Sequence, residues 1–141
     1  MSTESIENLL HSAKTIAIVG VSDKADRPSN GVARYLMESS NYTLFFVNPV
    51  LKELFDQPVF GSLEEVRAVS PVIDIVDVFR KIEDMPGVLE EAIAIGAGAF
   101  WMQLGLRDDL LAAKAIAAGM QVVQDKCIKI EHQRLKRAGV I

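Results

Sequence analysis

The chain has 141 residues, half of them hydrophobic and about a quarter charged, the balance of a protein with one substantial core. Nineteen acidic residues against fifteen Lys and Arg give a formal net charge of −4, so no broad basic field exists to attract nucleic acid. A lone cysteine, Cys127, excludes an intrachain disulfide. No apolar run nears the roughly 18 residues of a membrane span, and the first residues lack a secretory signal's basic and apolar regions. The expectation is a single cytoplasmic domain over residues 1–141, with neither membrane nor nucleic acid as partner.

In chain order, a helix is predicted over Thr3–Ser12 and a strand over Thr15–Val19 (TIAIV). Ser29–Ser39 carries Val32, Ala33, Leu36 and Met37 on one helical face, and Thr43–Val47 (TLFFV) reads as a second strand. Ser62 with Glu65 forms a capping box that opens a helix over Ser62–Val69. Ile73–Val78 (IDIVDV) is the third strand, and its Asp74 and Asp77 are expected at a sheet edge and at the strand's carboxyl end. A helix over Asp84–Ile95 precedes the fourth strand, Ala99–Met102 (AFWM). Asp108–Ala118 starts on acidic residues and stops at Gly119. The fifth strand is Met120–Gln124, and a closing helix covers Cys127–Lys136. Strands alternating with helices predict a three-layer, Rossmann-like α/β fold with a parallel five-stranded sheet in the order 3-2-1-4-5.

Ligands of such sheets sit outside the carboxyl ends of the strands. Four strand-end segments carry suitable chemistry. In the first, Gly20, Val21, Ser22, Asp23, Lys24, Arg27, Pro28 and Ser29 form a loop that enters a helix. The helix N-terminus favours an anion, the serines offer hydroxyls, and Arg27 can hold a phosphate bidentately. Gly20 is expected to let the phosphate approach, so replacing it should block binding and spare the fold. The loop is not GxGxxG, and Asn48-Pro49 follows the second strand where an NAD site carries Asp or Glu. With Lys52 nearby, that suits a phosphorylated ribose, as in NADP or in coenzyme A. Val78, Phe79 and Arg80 end the third strand, with Phe79 suited to cover an adenine and Arg80 to stack or meet a phosphate. Met102 and Gln103 end the fourth, ahead of Gly105 in a tight turn, while Trp101 reads as core.

No nucleophile–base pair and no metal-ligand spacing emerge, so no catalytic or metal-binding residue is assigned. Cys127 and His132 lie five apart, poor spacing for one helical face. Cys127 reads as a buried or helix-start cysteine.

Taken together, Thr15–Lys24 (TIAIVGVSDK), Arg27-Pro28-Ser29, Asn48-Pro49, Val76–Arg80 (VDVFR), Trp101–Gly105 (WMQLG) and Asp125-Lys126-Cys127 resemble the small CoA-binding proteins of the YccU type. They are also similar to the N-terminal CoA-binding domain of the succinyl-CoA synthetase alpha subunit. The resemblance spans roughly residues 5 to 138 and implies coenzyme A held across the strand ends. It implies phosphate contacts from Gly20–Lys24 and Lys52, an adenine bordered by Val78–Arg80, and a pantetheine arm near Met102 and Gln103. Lys52 stands one residue further past Pro49 than in the synthetase pattern. The synthetase's phosphorylated histidine belongs to a second domain that has no counterpart here, so ligase activity does not carry over. The implied function is a non-catalytic or regulatory module binding CoA or an acyl-CoA, with an NADP-linked oxidoreductase as the alternative.

Overall fold

In the computed structural model, which describes residues 3–141, seven strands join in one sheet. They are β1 (Thr15–Val19), β2 (Thr43–Val47), β3 (Glu53–Leu54), β4 (Gln57–Phe60), β5 (Ile75–Val78), β6 (Ala99–Met102) and β7 (Gln121–Val123). Six helices complete the chain: α1 (Thr3–Ser12), α2 (Pro28–Ser39), α3 (Leu63–Val69), α4 (Met85–Ala94), α5 (Asp109–Ala117) and α6 (Ile128–Arg137). A short 3-10 turn, Ile82–Asp84, leads into α4.

The sheet order is β3-β4-β2-β1-β5-β6-β7, parallel throughout except for the β3–β4 hairpin. This corrects the expected five strands and their order. The strand at 75–78 does not lie at the far side of β2; it pairs directly with β1. The place beside β2 belongs to β4, a strand the apolar periodicity did not reveal. Its hairpin turn holds Phe55 at φ 52° and Asp56 at φ 61°. Two successive positive φ values make a turn usually built from Asn-Gly or Asp-Gly, so Phe-Asp hides it. Pro58 is compatible because this is the sheet's edge region.

Two apolar layers cover the sheet. Ala17, Val19, Val76, Val78, Phe100 and Met102 pack with α3, α4 and α5. Ile16, Ile18, Ile75, Ala99 and Trp101 pack with α1, α2 and α6. The alternation along each strand sends neighbouring residues to opposite layers. The result is a Rossmann-like three-layer fold with a mostly parallel sheet. No described helix is long and apolar enough to cross a membrane.

The helix ends follow their chemistry. Ser62 caps α3 by accepting from Glu65 N at 3.2 Å, and the Glu65 carboxylate accepts from Gly61 N. Asp108 caps α5 by accepting from Leu111 N at 3.0 Å. Of the two aspartates of the third run, Asp77 stands one residue from the carboxyl end of β5, while Asp74 is not at a sheet edge. Asp74 precedes β5 and accepts from Lys14 N at 2.8 Å and Thr15 N at 3.0 Å, clasping the amino end of the sheet. Asp77 is 0 % exposed between Ile18 and Trp101, and neither of its carboxylate oxygens has a partner among the described residues.

Candidate functional site

The chain after β1 passes Gly20 at φ +88° and turns toward α2. A side chain here would place its Cβ 2.1 Å from the Phe79 carbonyl oxygen and 2.8 Å from Arg80 Cδ. Glycine is therefore demanded by the close approach of the chain after β5, and the idea that its replacement spares the fold is corrected.

Beyond Gly20 the loop is internally tied. Ser29 Oγ accepts from Ser22 N at 2.9 Å, Ser22 Oγ accepts from Lys24 N at 3.1 Å, and Asn30 Nδ2 donates to Ser22 O at 2.9 Å. Both serine oxygens act as acceptors, and each hydroxyl proton remains a donor. Helix α2 opens on Pro28, with Arg27 at its N-cap and no side-chain cap. Pro28 contributes no N–H, Asn30 N already donates to Arg27 O at 3.1 Å, and the Ser29 N–H is left for an outside acceptor.

This loop forms one wall of a cavity of about 600 Å³. Gly20, Ser22, Lys24, Arg27, Pro28, Ser29, Phe79, Arg80 and Gln103, all singled out in the sequence, line it. So do Val32, Lys81, Leu104, Leu106, Cys127 and Ile130, which were not. Lys81 directly follows Arg80, and Cys127 and Ile130 open the helix after the last strand, so the strand-end rule itself pointed to them. Lys24, Arg27, Arg80 and Lys81 bring four cations to the wall, and no Asp or Glu lines it. Asp84 approaches from outside, its carboxylate 3.7 Å from the Arg80 guanidinium.

The far wall is held by β6 and β7. Gln103 is 4 % exposed, and its Oε1 accepts from Ile128 N at 3.1 Å, which caps α6 and leaves the NH₂ as the donor of a cavity-lining side chain. Trp101 is core, as expected, and its Nε1 donates to Lys126 O at 2.8 Å. Gly105, at φ +89°, donates to Asp125 Oδ1 at 2.6 Å, fastening the leucine-bearing loop to the entry of α6. The cavity lining thus combines four cations with the apolar Val32, Leu104, Leu106 and Ile130.

The remaining candidates lie elsewhere. Val21 is buried in the α1–α2–α6 layer, and Asp23 is exposed outside the lining. Val78 and Met102 are fully buried in the opposite layer, because strand alternation turns them away. Asn48 is occupied with structure: its Nδ2 donates to Val21 O, and its Oδ1 accepts from Val50 N and Leu51 N. Pro49 borders a smaller hollow of about 180 Å³ on the other side of Gly20 and Arg80. Lys52 is exposed at the base of the β3–β4 hairpin, apart from both cavities.

Cys127 is half-buried at the N-cap of α6. His132 lies in the opposite direction, its Nδ1 2.7 Å from the Tyr35 hydroxyl, so no Cys–His pair forms. Burial, with Lys136 assisting, holds the His132 pKa below its ordinary value. Burial alone pushes Asp77 well above the carboxylate range. Among the described residues no group of His, Cys, Asp and Glu is arranged to hold a metal.

The chain is 37 % identical over 131 residues to the Bacillus subtilis (strain 168) protein YneT, covering 93 % of this chain and 94 % of the relative. A protein of Pyrococcus horikoshii OT3 has a solved structure with a TM-score of 0.87 and 33 % identity, covering 96 % of this chain and 93 % of that one. The cell-free ID.343 protein of Thermus thermophilus gives 0.86 and 36 %, covering 96 % and 99 %. A family model described as a CoA binding domain matches residues 14–133, and the chain, which folds its strand ends into a cationic and apolar cleft, belongs to that family.

Proposed function

We propose that the protein binds coenzyme A or an acyl-CoA in the cavity between α2 and α6, as a binding or regulatory module without chemistry of its own. One observation carries the reading. The uncapped start of α2 and four cations, Lys24, Arg27, Arg80 and Lys81, line one cleft together with the apolar Val32, Leu104, Leu106 and Ile130. Coenzyme A has matching halves, a phosphate-rich nucleotide and a long, nearly uncharged pantetheine arm. The residues present fit it. The Ser22 and Ser29 hydroxyls and the Ser29 amide at the start of α2 would receive the diphosphate, with Arg27 and Lys24 neutralising it. Phe79 would lie along the adenine, with Arg80 beside it. Gln103 would donate its NH₂ to an amide carbonyl of the arm, bordered by Leu104, Leu106 and Ile130.

A dinucleotide is the weaker match. The residue after β2 that would hold a ribose diol is Asn48, and its amide is already engaged by Val21, Val50 and Leu51. Titration calorimetry with CoA, dephospho-CoA and NADP tests the proposal. CoA should bind tightest, and dephospho-CoA should lose affinity with its 3′-phosphate. NADP binding as tightly as CoA, or no CoA binding at all, would overturn it.

A further inference from the structure

The opposite end of the sheet holds a second cavity, of about 610 Å³, at the amino ends of β1 and β2 beneath the last turns of α1, α2 and α6. Four basic side chains line it: His11, Lys14, His132 and Lys136. Among the described residues no Asp or Glu lines it, although acidic residues outnumber Lys and Arg in the chain, 19 to 15. None of the four forms an ion pair with a carboxylate among the described residues.

Helix ends attract cations, and this explains part of the cluster: Lys136 Nζ donates to Ser39 O at 3.0 Å near the end of α2. It does not explain the rest. Lys136 keeps two further N–H donors, and Lys14 lies outside any helix. His132 is 5 % exposed, wedged edge-on between Tyr35 and Tyr42 at centroid distances of 5.5 and 5.6 Å. Its Nδ1 is engaged by the Tyr35 hydroxyl at 2.7 Å. With that hydroxyl donating, Nε2 carries the ring proton and is a donor without a protein acceptor. Among the described residues the fully buried polar atoms without a partner are the two Asp77 oxygens, so this donor opens to the cavity and can be reached from it. Tyr42 fixes the ring from the other side by donating to Leu10 O at 2.5 Å.

We infer that this cavity is a second ligand site, separate from the strand-end cleft, that takes a small oxyanion of charge −2, a phosphate or a dicarboxylate. His132 Nε2, Lys14 and Lys136 are its donors. The inference does not depend on coenzyme A binding at the other end.

The test is an NMR titration of the whole chain with inorganic phosphate and, separately, malonate, each at ionic strength held constant with chloride. The His132 ring protons and the amides of Lys14 and Lys136 should shift along a saturating curve. Lys14→Gln and His132→Asn should each weaken that curve about tenfold or more, the loss of one charge-assisted hydrogen bond. Arg27→Ala, which touches only the other cavity, should leave it unchanged. Circular dichroism of each variant checks that the fold persists, and Lys14→Gln serves alone if His132→Asn unfolds. Shifts that stay linear, match chloride alone, or survive Lys14→Gln unaltered would overturn the inference. The arm that saturates at the lower concentration separates phosphate from dicarboxylate.

Discussion

Replacing Asp77 by Asn should stabilise the protein at neutral pH, and the gain should grow as pH rises. Asp77 is fully buried in a central strand with no partner on either oxygen, and burial raises its pKa well above 3.8. The folded state therefore keeps the proton while the unfolded chain releases it. Between the unfolded and folded values the unfolded state binds fewer protons, so stability falls with rising pH. Each pH unit between the unfolded and the folded value is worth about 1.4 kcal/mol, so the stability that Asp77 withholds grows with pH across that window. Asn removes that titration, and its buried amide replaces a protonated carboxyl that is equally without partners. The gain should vanish near pH 4 and grow by about 1.4 kcal/mol per pH unit until Asp77 ionises in the folded state. Urea unfolding of both proteins at several pH values reads this directly through the midpoints. A difference that does not change with pH, or an Asn variant less stable near pH 7.5, would refute the reasoning.

Other outcomes follow from the same geometry. Arg27→Ala should weaken CoA binding by about 1.5–3 kcal/mol by calorimetry, the worth of a charged hydrogen bond; unchanged affinity removes Arg27 from the site. Lys52→Ala should leave CoA affinity where it was, because Lys52 stands outside both strand-end cavities, and a large loss would mean that the hairpin closes over the ligand. Gly20→Val should lower the melting temperature sharply or prevent folding, since its Cβ would sit 2.1 Å from a backbone oxygen; a variant melting like the parent would contradict the close approach. Burial and Lys136 lower the His132 pKa from 6.5, so the unfolded state binds more protons just below that value. Stability should then drop as pH falls through this window, and His132→Asn should flatten the drop in a denaturant series.

Five of the six parallel strands were legible because they read as short, near-continuous apolar runs. The sixth parallel strand was not. Gln57–Phe60 contains proline and is only half-covered, with Gln57 and Pro58 exposed, so neither alternation nor a continuous run marks it. Missing it shifted the order, because the run at 75–78 took a place that belongs to β4. With β4 counted third, the parallel strands lie in the order 3-2-1-4-5-6, and the chain reversal falls between β1 and β5, where Gly20 meets Phe79.

The site was legible for a different reason. Which residues follow a strand is written in the sequence, and the fold brings strand ends together. Which side chains then face the cleft depends on alternation counted from the strand's last residue. Phe79 and Gln103 stand one step past β5 and β6 and line the cavity; Val78 and Met102 are one residue earlier and point into the other layer. Polar residues were harder, because a side chain at the right place can already be committed. Asn48 stands at a strand end and braces the loop after β1, whereas Gln103 braces α6 through its oxygen and retains its nitrogen. Seen this way, the loops around the cleft are fixed by bonds of their own, through Ser29 to Ser22, Asn48 to Val21 and Asp125 to Gly105. A ligand entering between them meets donors already positioned, and little of its binding energy is lost to ordering the wall.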